Sequence, residues 1–265
     1  MGRFVCRTKY ETLSYIVRIH KASVVITSLE GWNMPDPEAA RGLRTRSRLS
    51  RDQVLRGALV VADAGGLGAL TIRSLAHELG VKPMSVYYYV ANKDEILDGI
   101  VDIVFGEIDL PSPGGEWRTE MRRRAVSARS VLRRHPWAIP LMQSRTNPGE
   151  ATLRHLDANI GTLRTGGFSV KMTAHAYALI DSYVYGFCLS ESSLPINGPE
   201  TVPDVAESIM EHVAPETYPH LTEFSVEHVM KPGYDFGKEF EFGLDLILAG
   251  LEQQVPDRPP SNGRS

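Results

Sequence analysis

The stretch T-I-R-S-L-A-H-E-L-G-V-K-P-M-S-V-Y-Y-Y-V-A-N-K, Thr71–Lys93, decides the fold class of this chain. Its spacing predicts two short helices joined by a tight turn at Gly80, which ends the first helix because glycine accepts a positive φ. Ala76 is small enough to let the second helix approach the first, and Val86 returns an apolar side chain to their shared core. The other side of that core is closed by Leu75, Leu79 and Val81. The pattern predicts a helix-turn-helix whose second helix is held out to enter a DNA major groove.

Length and composition fit a globular protein with one large domain or two modest ones. The chain has 265 residues, of which 42% are hydrophobic and 23% charged, both ordinary values. Cys6 and Cys188 are its only cysteines and leave no disulfide framework, so we expect a reducing, cytoplasmic location. No apolar run approaches the roughly 20 residues of a membrane span, so we expect no membrane partner.

Charge is distributed unevenly along the chain. Residues 1–98 hold 14 Lys and Arg against 10 Asp and Glu, whereas residues 99–265 hold 15 against 22. A basic N-terminal part beside an acidic remainder favours a nucleic-acid-binding head on a separate body. Chance is the alternative, since the excess is small.

Residues 1–44 are predicted to be an extension and a flexible basic arm. The stretch Ser14–Leu29 mixes Ile, Val and Leu with Arg18, His20 and Lys21. Its apolar part, Ala22–Leu29, is too short to span a membrane and is followed by no convincing signal-peptide cleavage site. Translation from Met34 is an alternative start. The arm and the residues after it carry candidate phosphate or minor-groove contacts at Arg44, Arg46 and Arg48. A solvated tail explains these arginines equally well.

Residues 45–92 are predicted to form the DNA-binding head. Ser50 is expected to cap a first helix that ends at the pair Gly65–Gly66, and Thr71 to cap the helix Ile72–Leu79. Pro83 suits the first turn of a third helix that runs to about Tyr89. Asn92, with Glu95 three residues later, predicts a capping box that opens the next helix, 93–108.

Residues 93–255 are predicted to form a helical body, and residues 256–265 a disordered tail. The break Pro111–Gly115 precedes a helical run, 117–134, that holds seven arginines, which we interpret as a solvated helix face whose stems cover apolar surface. Further helices are expected at 137–143, 150–166, 170–192, 203–213, 219–230 and 234–254. No convincing strand alternation or internal repeat is visible, so the predicted fold class is all-α.

Two sets of motifs carry a resemblance to a known family. The head set is the helix Arg51–Gly65, then L-T-I-R-S-L-A-H-E-L-G-V (Leu70–Val81), then V-Y-Y-Y-V-A-N-K-D-E-I-L (Val86–Leu97). The body set is W-R-T-E-M-R-R-R-A (Trp117–Ala125), H-P-W (His135–Trp137), T-G-G-F-S (Thr165–Ser169), Y-V-Y-G-F (Tyr183–Phe187) and F-E-F-G-L-D-L-I-L-A-G-L-E (Phe240–Glu252). Together they resemble the tetracycline-repressor (TetR/AcrR) family of transcriptional regulators over roughly residues 45–255.

The resemblance implies a homodimer in which each subunit carries a three-helix DNA-binding head and a helical ligand-binding core. It implies a recognition helix, Pro83–Tyr89, that reads the major groove. The base-edge candidates are Lys82, Met84, Ser85 and Tyr89. The phosphate candidates are Thr71, Arg73, Tyr87 and Lys93. The chemistry agrees, because hydroxyls donate and accept and a Met side chain can meet a thymine methyl. We expect Tyr88 to be the tyrosine that packs inward.

The body shows no catalytic constellation, so we expect neither an enzyme nor a cofactor or metal. The residues on which the tetracycline repressor's metal–drug site depends do not map here. A small-ligand pocket is still expected, built from apolar walls with few polar groups. Its candidate residues are Trp137, Met142, Leu156, Ile160, Tyr177, Ile180, Asp181, Tyr183 and Tyr185. Core packing is the alternative for each of them.

Two apolar stripes predict a dimer seam made by the helices 170–192 and 234–254. Their spacing by threes and fours places each stripe on one helix face, and two such helices from each subunit form a four-helix interface. The candidate seam residues are Val184, Phe187, Phe236, Phe240, Leu244, Ile247 and Leu251. The alternative is that both stripes face only the subunit's own core.

The sequence therefore predicts a homodimeric repressor that a small-molecule ligand releases from a palindromic operator. A transcriptional activator and a non-inducible architectural DNA binder are rivals, which ligand-dependent release of DNA would separate from a repressor. An all-α enzyme with a vestigial head, or a helix-turn-helix used only to bind protein, fits the motifs less well.

Overall fold

A computed structural model describes residues 49–194, 202–211 and 213–255. All regular elements in these residues are helical, which confirms the predicted all-α class. The helices are α1 (Arg51–Ala69), α2 (Ile72–Glu78), α3 (Pro83–Val86), α4 (Lys93–Glu107), α5 (Trp117–Arg134), α6 (Ala138–Ser144), α7 (Glu150–Thr165), α8 (Val170–Ser193), α9 (Val202–Met210), α10 (Pro219–Phe224) and α11 (Phe236–Glu252), with a π-helical turn at Ser225–Val229. The predicted arm, with Arg44, Arg46 and Arg48, and the predicted tail lie outside the described residues.

The described chain divides into two compact units. Unit 1 takes in residues 49–106 and 137–153, and unit 2 takes in 107–136 and the described residues from 154 onward. Unit 1 therefore contains most of α4 and all of α6 in addition to the helix-turn-helix. The functional division at residues 92 and 93 stays a prediction.

Unit 1 is organised around the core of its first three helices. Val54 and Ala58 of α1 are fully buried, as are Leu75 of α2 and Val86 of α3. Gly57 supports this contact, because a Cβ at that position would lie 2.8 Å from a methyl carbon of Leu79. Small and branched residues at helical spacing therefore let α1, α2 and α3 pack closely, as the sequence predicts.

The first helix begins where the sequence predicts, and its backbone is interrupted at the predicted end. The Ser50 hydroxyl accepts the N–H of Gln53, and the Gln53 side chain accepts the N–H of Ser50, which completes a capping box. Gly66 interrupts the helix with a φ of 70°, but a further helical turn follows to Ala69. The helical backbone is therefore interrupted where the sequence predicts the helix to end, and a short second helical piece follows beyond this kink.

Unit 2 is built on α5, α8 and α11, which pack against one another. Phe240 and Leu244 of α11 and Val184 of α8 are fully buried. Trp117, at the start of α5, packs edge-on against Phe168 with ring centroids 4.8 Å apart. The core of the unit therefore lies among these three helices.

The seven arginines of α5 do not all behave as predicted. Most lie at the surface in ion pairs, for example Arg118 with Glu252 and Arg134 with Glu107. Arg124 is the exception, with no exposed surface at all. The expected solvated face is thus corrected at this one position, where the side chain enters the interior.

None of the helices in the described ranges is long and apolar enough to cross a membrane.

Candidate nucleic-acid interface and ligand site

The turn between α2 and α3 has the backbone geometry that the sequence predicts. Gly80 has a φ of 62°. Val81 donates its N–H to the Ala76 carbonyl at 2.9 Å, and Gly80 donates to the His77 carbonyl at 3.1 Å. This pair of bonds is a Schellman motif, which satisfies the last carbonyls of α2 and fixes the direction of the chain into α3.

Thr71 fixes the other end of α2. Its hydroxyl accepts the Ser74 N–H at 3.1 Å, while the Ser74 hydroxyl accepts the Thr71 N–H at 2.9 Å. This reciprocal bonding confirms the predicted cap and adds a capping box formed by Ser74. Thr71 and the neighbouring Arg73 are both exposed at this positive end of the helix dipole.

None of the nine DNA-contact candidates in the described residues is buried. Thr71, Arg73, Lys82, Pro83 and Met84 are exposed, and Ser85, Tyr87, Tyr89 and Lys93 are partly exposed. They lie on or next to α2, α3 and the start of α4, all within unit 1. Basic, hydroxyl and apolar tips are available for phosphate and base-edge contacts. That they touch DNA stays a prediction.

Two expectations about the recognition helix are wrong. Helix α3 ends at Val86 rather than near Tyr89, and residues 87–89 form a turn in which Tyr89 donates to the Val86 carbonyl. Tyr88 is 59% exposed rather than packed inward. The buried positions are Val86 and Val90, four residues apart, and they anchor the segment while the three tyrosines point at least partly outward.

Helix α4 begins directly after this segment and is tied to α1. The Asn92 side chain accepts the Glu95 N–H at 2.8 Å, as the predicted cap requires. The Glu95 carboxylate instead accepts the Ala91 N–H at 2.8 Å and pairs with Arg51 of α1 at 3.0 Å. The hydrogen bond from Ala91 and the guanidinium of Arg51 outweigh burial and lower the pKa of Glu95.

Further polar contacts hold α4 along its length. Arg145, which follows α6, donates to the Asp98 carboxylate at 2.5 Å and to the Asp94 carboxylate at 3.1 Å. Asp102, one turn further along α4, accepts both the N–H and the hydroxyl of Thr152 at 2.8 Å. These bonds connect α4 to the loop after α6 and to the first turn of α7.

Unit 2 contains a buried polar cluster centred on Arg124. Its guanidinium donates to the Asp181 carboxylate of α8 at 2.5 Å and to His155 Nε2 of α7 at 3.1 Å. Arg124 and His155 are fully buried, and Asp181 is nearly so. Because Nε2 accepts from the guanidinium, the ring proton of the neutral imidazole resides on Nδ1.

The charges in this cluster compensate one another. Burial opposes ionisation of Arg124, but Asp181 more than offsets it and raises the pKa of the guanidinium. Burial, reinforced by the charge of Arg124, lowers the pKa of His155 to about 3, so the imidazole is neutral at physiological pH. Burial also raises the pKa values of Tyr177 and Tyr185, whose phenols stay protonated.

Two buried side chains near this cluster have unused hydrogen-bonding capacity. Both polar atoms of the Asn159 amide and the hydroxyl of Thr173 lack a hydrogen-bond partner within the described part of the chain. Asn159 is fully buried and Thr173 is 4% exposed. Native proteins leave few such groups, and a bound molecule is one way to satisfy them.

The predicted ligand-site residues fall into separate places. Tyr177, Asp181 and Tyr185 surround Arg124, and Ile180 is buried on the same helix. Leu156 and Met142 are partly exposed, and Ile160 points outward. Trp137 and Met142 belong to unit 1, where the Trp137 indole donates to Asp63 at 2.7 Å.

Tyr183 occupies a different environment from the rest of that set. Its hydroxyl donates to the Phe240 carbonyl at 2.9 Å, and its ring stacks on the Phe240 ring at 5.6 Å between centroids. These contacts pack α8 against α11, and a contact of Tyr183 with a ligand stays a prediction.

Sequence reasoning missed Arg124, His155, Asn159 and Thr173. One signal was present: His155 and Asn159 are four residues apart, so both fall on one face of α7. The described residues contain no group of three or more His, Cys, Asp and Glu side chains that could hold a metal ion.

The predicted seam residues contribute little surface. Val184, Phe240, Leu244 and Leu251 are buried in the subunit's own core, so for them the alternative reading is right. Phe187, Phe236 and Ile247 are partly exposed, and Phe187 stacks on Phe236 within the subunit. Exposed apolar side chains of α11 lie instead on another face, at Phe242 and Leu246.

Comparison with known proteins agrees with this architecture. Residues 110–255, more than half of the chain, match the family described as tetracyclin repressor-like, C-terminal domain. The HTH-type transcriptional repressor DrrR1 of Streptomyces coeruleorubidus is 32% identical over 218 residues, 79% of this chain and 80% of the relative. The class D tetracycline repressor protein of Escherichia coli is 28% identical over 148 residues, 55% of this chain and 67% of the relative. The Streptomyces coelicolor TetR family protein ActR in complex with actinorhodin matches with a TM-score of 0.67 at 28% identity, covering 80% of this chain and 99% of ActR.

A capped helix-turn-helix followed by a helical unit with a buried polar cluster is the architecture of a DNA-binding transcriptional regulator, and the relatives are regulators rather than enzymes. The chain belongs to the tetracycline-repressor (TetR) family.

Proposed function

We propose that this protein is a homodimeric cytoplasmic repressor that binds a palindromic operator and is released by a small molecule. The observation that carries the DNA-binding step is the Schellman turn at Gly80, which presents α3 with its polar tips uncovered. Named repressors among the relatives support repression, and the ligand-bound structure of ActR supports a response to a ligand.

Recognition is assigned to α3 and its flanks. Met84 and Ser85 reach base edges, and Lys82 stands at the entry of the helix. Thr71 and Arg73 bind phosphate at the N-terminus of α2, where the helix dipole adds to the attraction of the arginine. Phosphate contacts set the register of the head on the duplex, and base contacts select the sequence.

The dimer is assigned to the outer faces of α8 and α11. Phe242 and Leu246, 65% and 60% exposed, lie four residues apart on α11, and Leu179 and Leu189 are exposed on α8. Covering these apolar side chains with a second copy removes them from water and therefore stabilises the dimer. Two-fold symmetry then matches a palindromic operator.

Release is assigned to α7, which is continuous from Glu150 to Thr165. Its first turn is held by Asp102 of α4 through Thr152. Three residues later, His155 belongs to the polar cluster around Arg124. A ligand that binds more tightly to one position of α7 than to another shifts α4, and with it the segment that reads DNA.

Selection from random DNA tests the proposal. The protein is expected to enrich a palindrome, and a reporter placed behind that palindrome is expected to be silenced. Enrichment with increased reporter expression would favour the activator, and no enrichment would exclude both.

A further inference from the structure

Asn159 of α7 and Thr173 of α8, the two buried side chains without a hydrogen-bond partner in the described residues, lie at defined distances from the Arg124 bridge along their helices. Arg124 joins His155, ten residues before the end of α7, to Asp181, eleven residues after the start of α8. Arg124 of α5 therefore bridges the two helices, which are joined by the short connection 166–169. Asn159 is one turn from the bridge, about 6 Å, and Thr173 two turns, about 12 Å, both toward the connection. Both groups are buried and lie on the same side of the bridge, between it and the connection.

Neither side chain is satisfied by its own helix. An Asn amide offers two donors and an acceptor oxygen, and a Thr hydroxyl offers a donor and an acceptor. Both amide atoms of Asn159 and the hydroxyl of Thr173 are buried without a hydrogen-bond partner in the described ranges. Leaving such groups unpaired costs free energy. A molecule bound from outside the chain would find both a donor and an acceptor to pair with.

The surroundings determine which ligand chemistry fits. Arg124 and Asp181 neutralise each other, and the imidazole of His155 and the phenol of Tyr177 are uncharged. Among the described residues of this cluster, a buried ligand charge would find no uncompensated counter-charge, which makes its desolvation costly. The neighbouring buried residues are mostly apolar, and they include Leu163, Phe168, Ala176 and Ile180.

We propose that Asn159 and Thr173 bind an uncharged ligand that carries a carbonyl acceptor and a hydroxyl donor on a mainly apolar body. This inference rests on the ligand-responsive step of the proposed function and specifies the chemical class of the ligand. It also assigns the two residues as its specificity determinants.

Four anthraquinones with one varied substituent test the class. All carry ring carbonyls, and the substituent is hydroxymethyl, methyl, carboxylate or aminomethyl. Binding is measured by calorimetry on the full chain, with Asn159→Leu and Thr173→Val as variants. Thr165→Val is the matched control, because Thr165 is exposed at the end of α7. The wild type is expected to bind the hydroxymethyl compound at least about tenfold more tightly than the other three, since only it adds a neutral donor.

Both buried variants are expected to lose that preference, and Thr165→Val to keep it. Tighter binding of the carboxylate or aminomethyl compound, unchanged binding in both buried variants, or no binding of any compound would overturn the proposal. A second readout needs no ligand: the melting temperatures of the two buried variants should equal or exceed the wild-type value, because an unpaired polar group is removed. A clear decrease in both would show that these groups are satisfied internally and would also overturn it.

Operator affinity, measured on the same samples, separates this proposal from the proposed function. If the wild type binds no DNA, the repressor function fails, whereas the anthraquinone series still decides the ligand class. If the wild type binds DNA and the series fails, only the ligand class is wrong.

Discussion

The Asp102 carboxylate of α4 accepts both the backbone N–H and the hydroxyl of Thr152 in α7, each at 2.8 Å. It thereby caps the first turn of α7 from a different helix, where unpaired N–H groups and the helix dipole favour a negative charge. Gly149 is required beside it, since a Cβ there would lie 2.2 Å from the Asp102 carboxyl carbon.

Removing this charge is expected to loosen the start of α7. Asp102→Asn should lower the free energy of unfolding by about 1–2 kcal/mol and speed amide hydrogen exchange at Ala151 and Thr152, because a charged cap is lost. Asp157→Asn is the control, since Asp157 is exposed on the same helix. Equal exchange rates in the two variants would show that Asp102 does not hold α7.

The turn at Gly80 is expected to tolerate few residues. Its φ is 62° and a Cβ would meet open space, so any cost is backbone strain alone. Gly80→Ala should lower the free energy of unfolding by about 1 kcal/mol, and Gly80→Asn by less, because asparagine adopts the left-handed conformation more readily. Chemical denaturation measures both. Gly68→Ala, also in open space but without a positive φ, should be neutral or stabilising, and a loss there equal to that of Gly80→Ala would contradict the strain argument.

Stability is expected to fall in mild acid because of His155. Its pKa is about 3 in the folded protein against 6.5 for the free side chain, so only the unfolded state takes up a proton between these values. Unfolding therefore becomes easier as the pH falls below 6.5, by up to about 1.4 kcal/mol for each pH unit. His155→Gln keeps an acceptor for Arg124 and should flatten this dependence, whereas His175→Gln, at an exposed position, should not. Parallel pH profiles for all three proteins would refute the assignment.

The dimer surface predicts a change of association state. Leu246→Glu places a charge on the outer face of α11 that is proposed as the dimer surface, and should convert the dimer to a monomer in sedimentation analysis. Leu153→Glu makes the same change at a similarly exposed leucine of α7 and should leave the dimer intact. If the dimer persists in Leu246→Glu, the interface must lie on another surface of the subunit.

Local sequence signals predicted the helix-turn-helix because its determinants are local. The caps at Ser50 and Thr71 and the positive φ at Gly80 depend on residues within one or two turns of each site. The exposure of Tyr88 was mispredicted because it depends on where α3 ends. Val86 and Val90 anchor the segment, and the helix stops before the tyrosines.

The buried polar cluster around Arg124 could not be predicted from the sequence because tertiary contacts create it. Arg124 is one of seven arginines in α5, and its burial is decided by Asp181, 57 residues away. The burial of four predicted seam residues, Val184, Phe240, Leu244 and Leu251, was not predicted for a related reason. Apolar spacing identifies a helix face, but α11 has apolar residues on two faces, and only packing shows that Phe240 and Leu244 face inward.

Sequence-specific DNA binding is tested most directly by the affinity for the palindrome selected from random DNA, measured against a scrambled duplex at several salt concentrations. The wild-type protein is expected to bind the palindrome at least about a thousandfold more tightly than the scrambled duplex. Arg73→Gln should weaken binding to every duplex and reduce the salt slope by about one, whereas Ser85→Ala should alter the preference at one position of each half-site. Equal affinity for the palindrome and the scrambled duplex would contradict the central claim that this helix-turn-helix reads a DNA sequence.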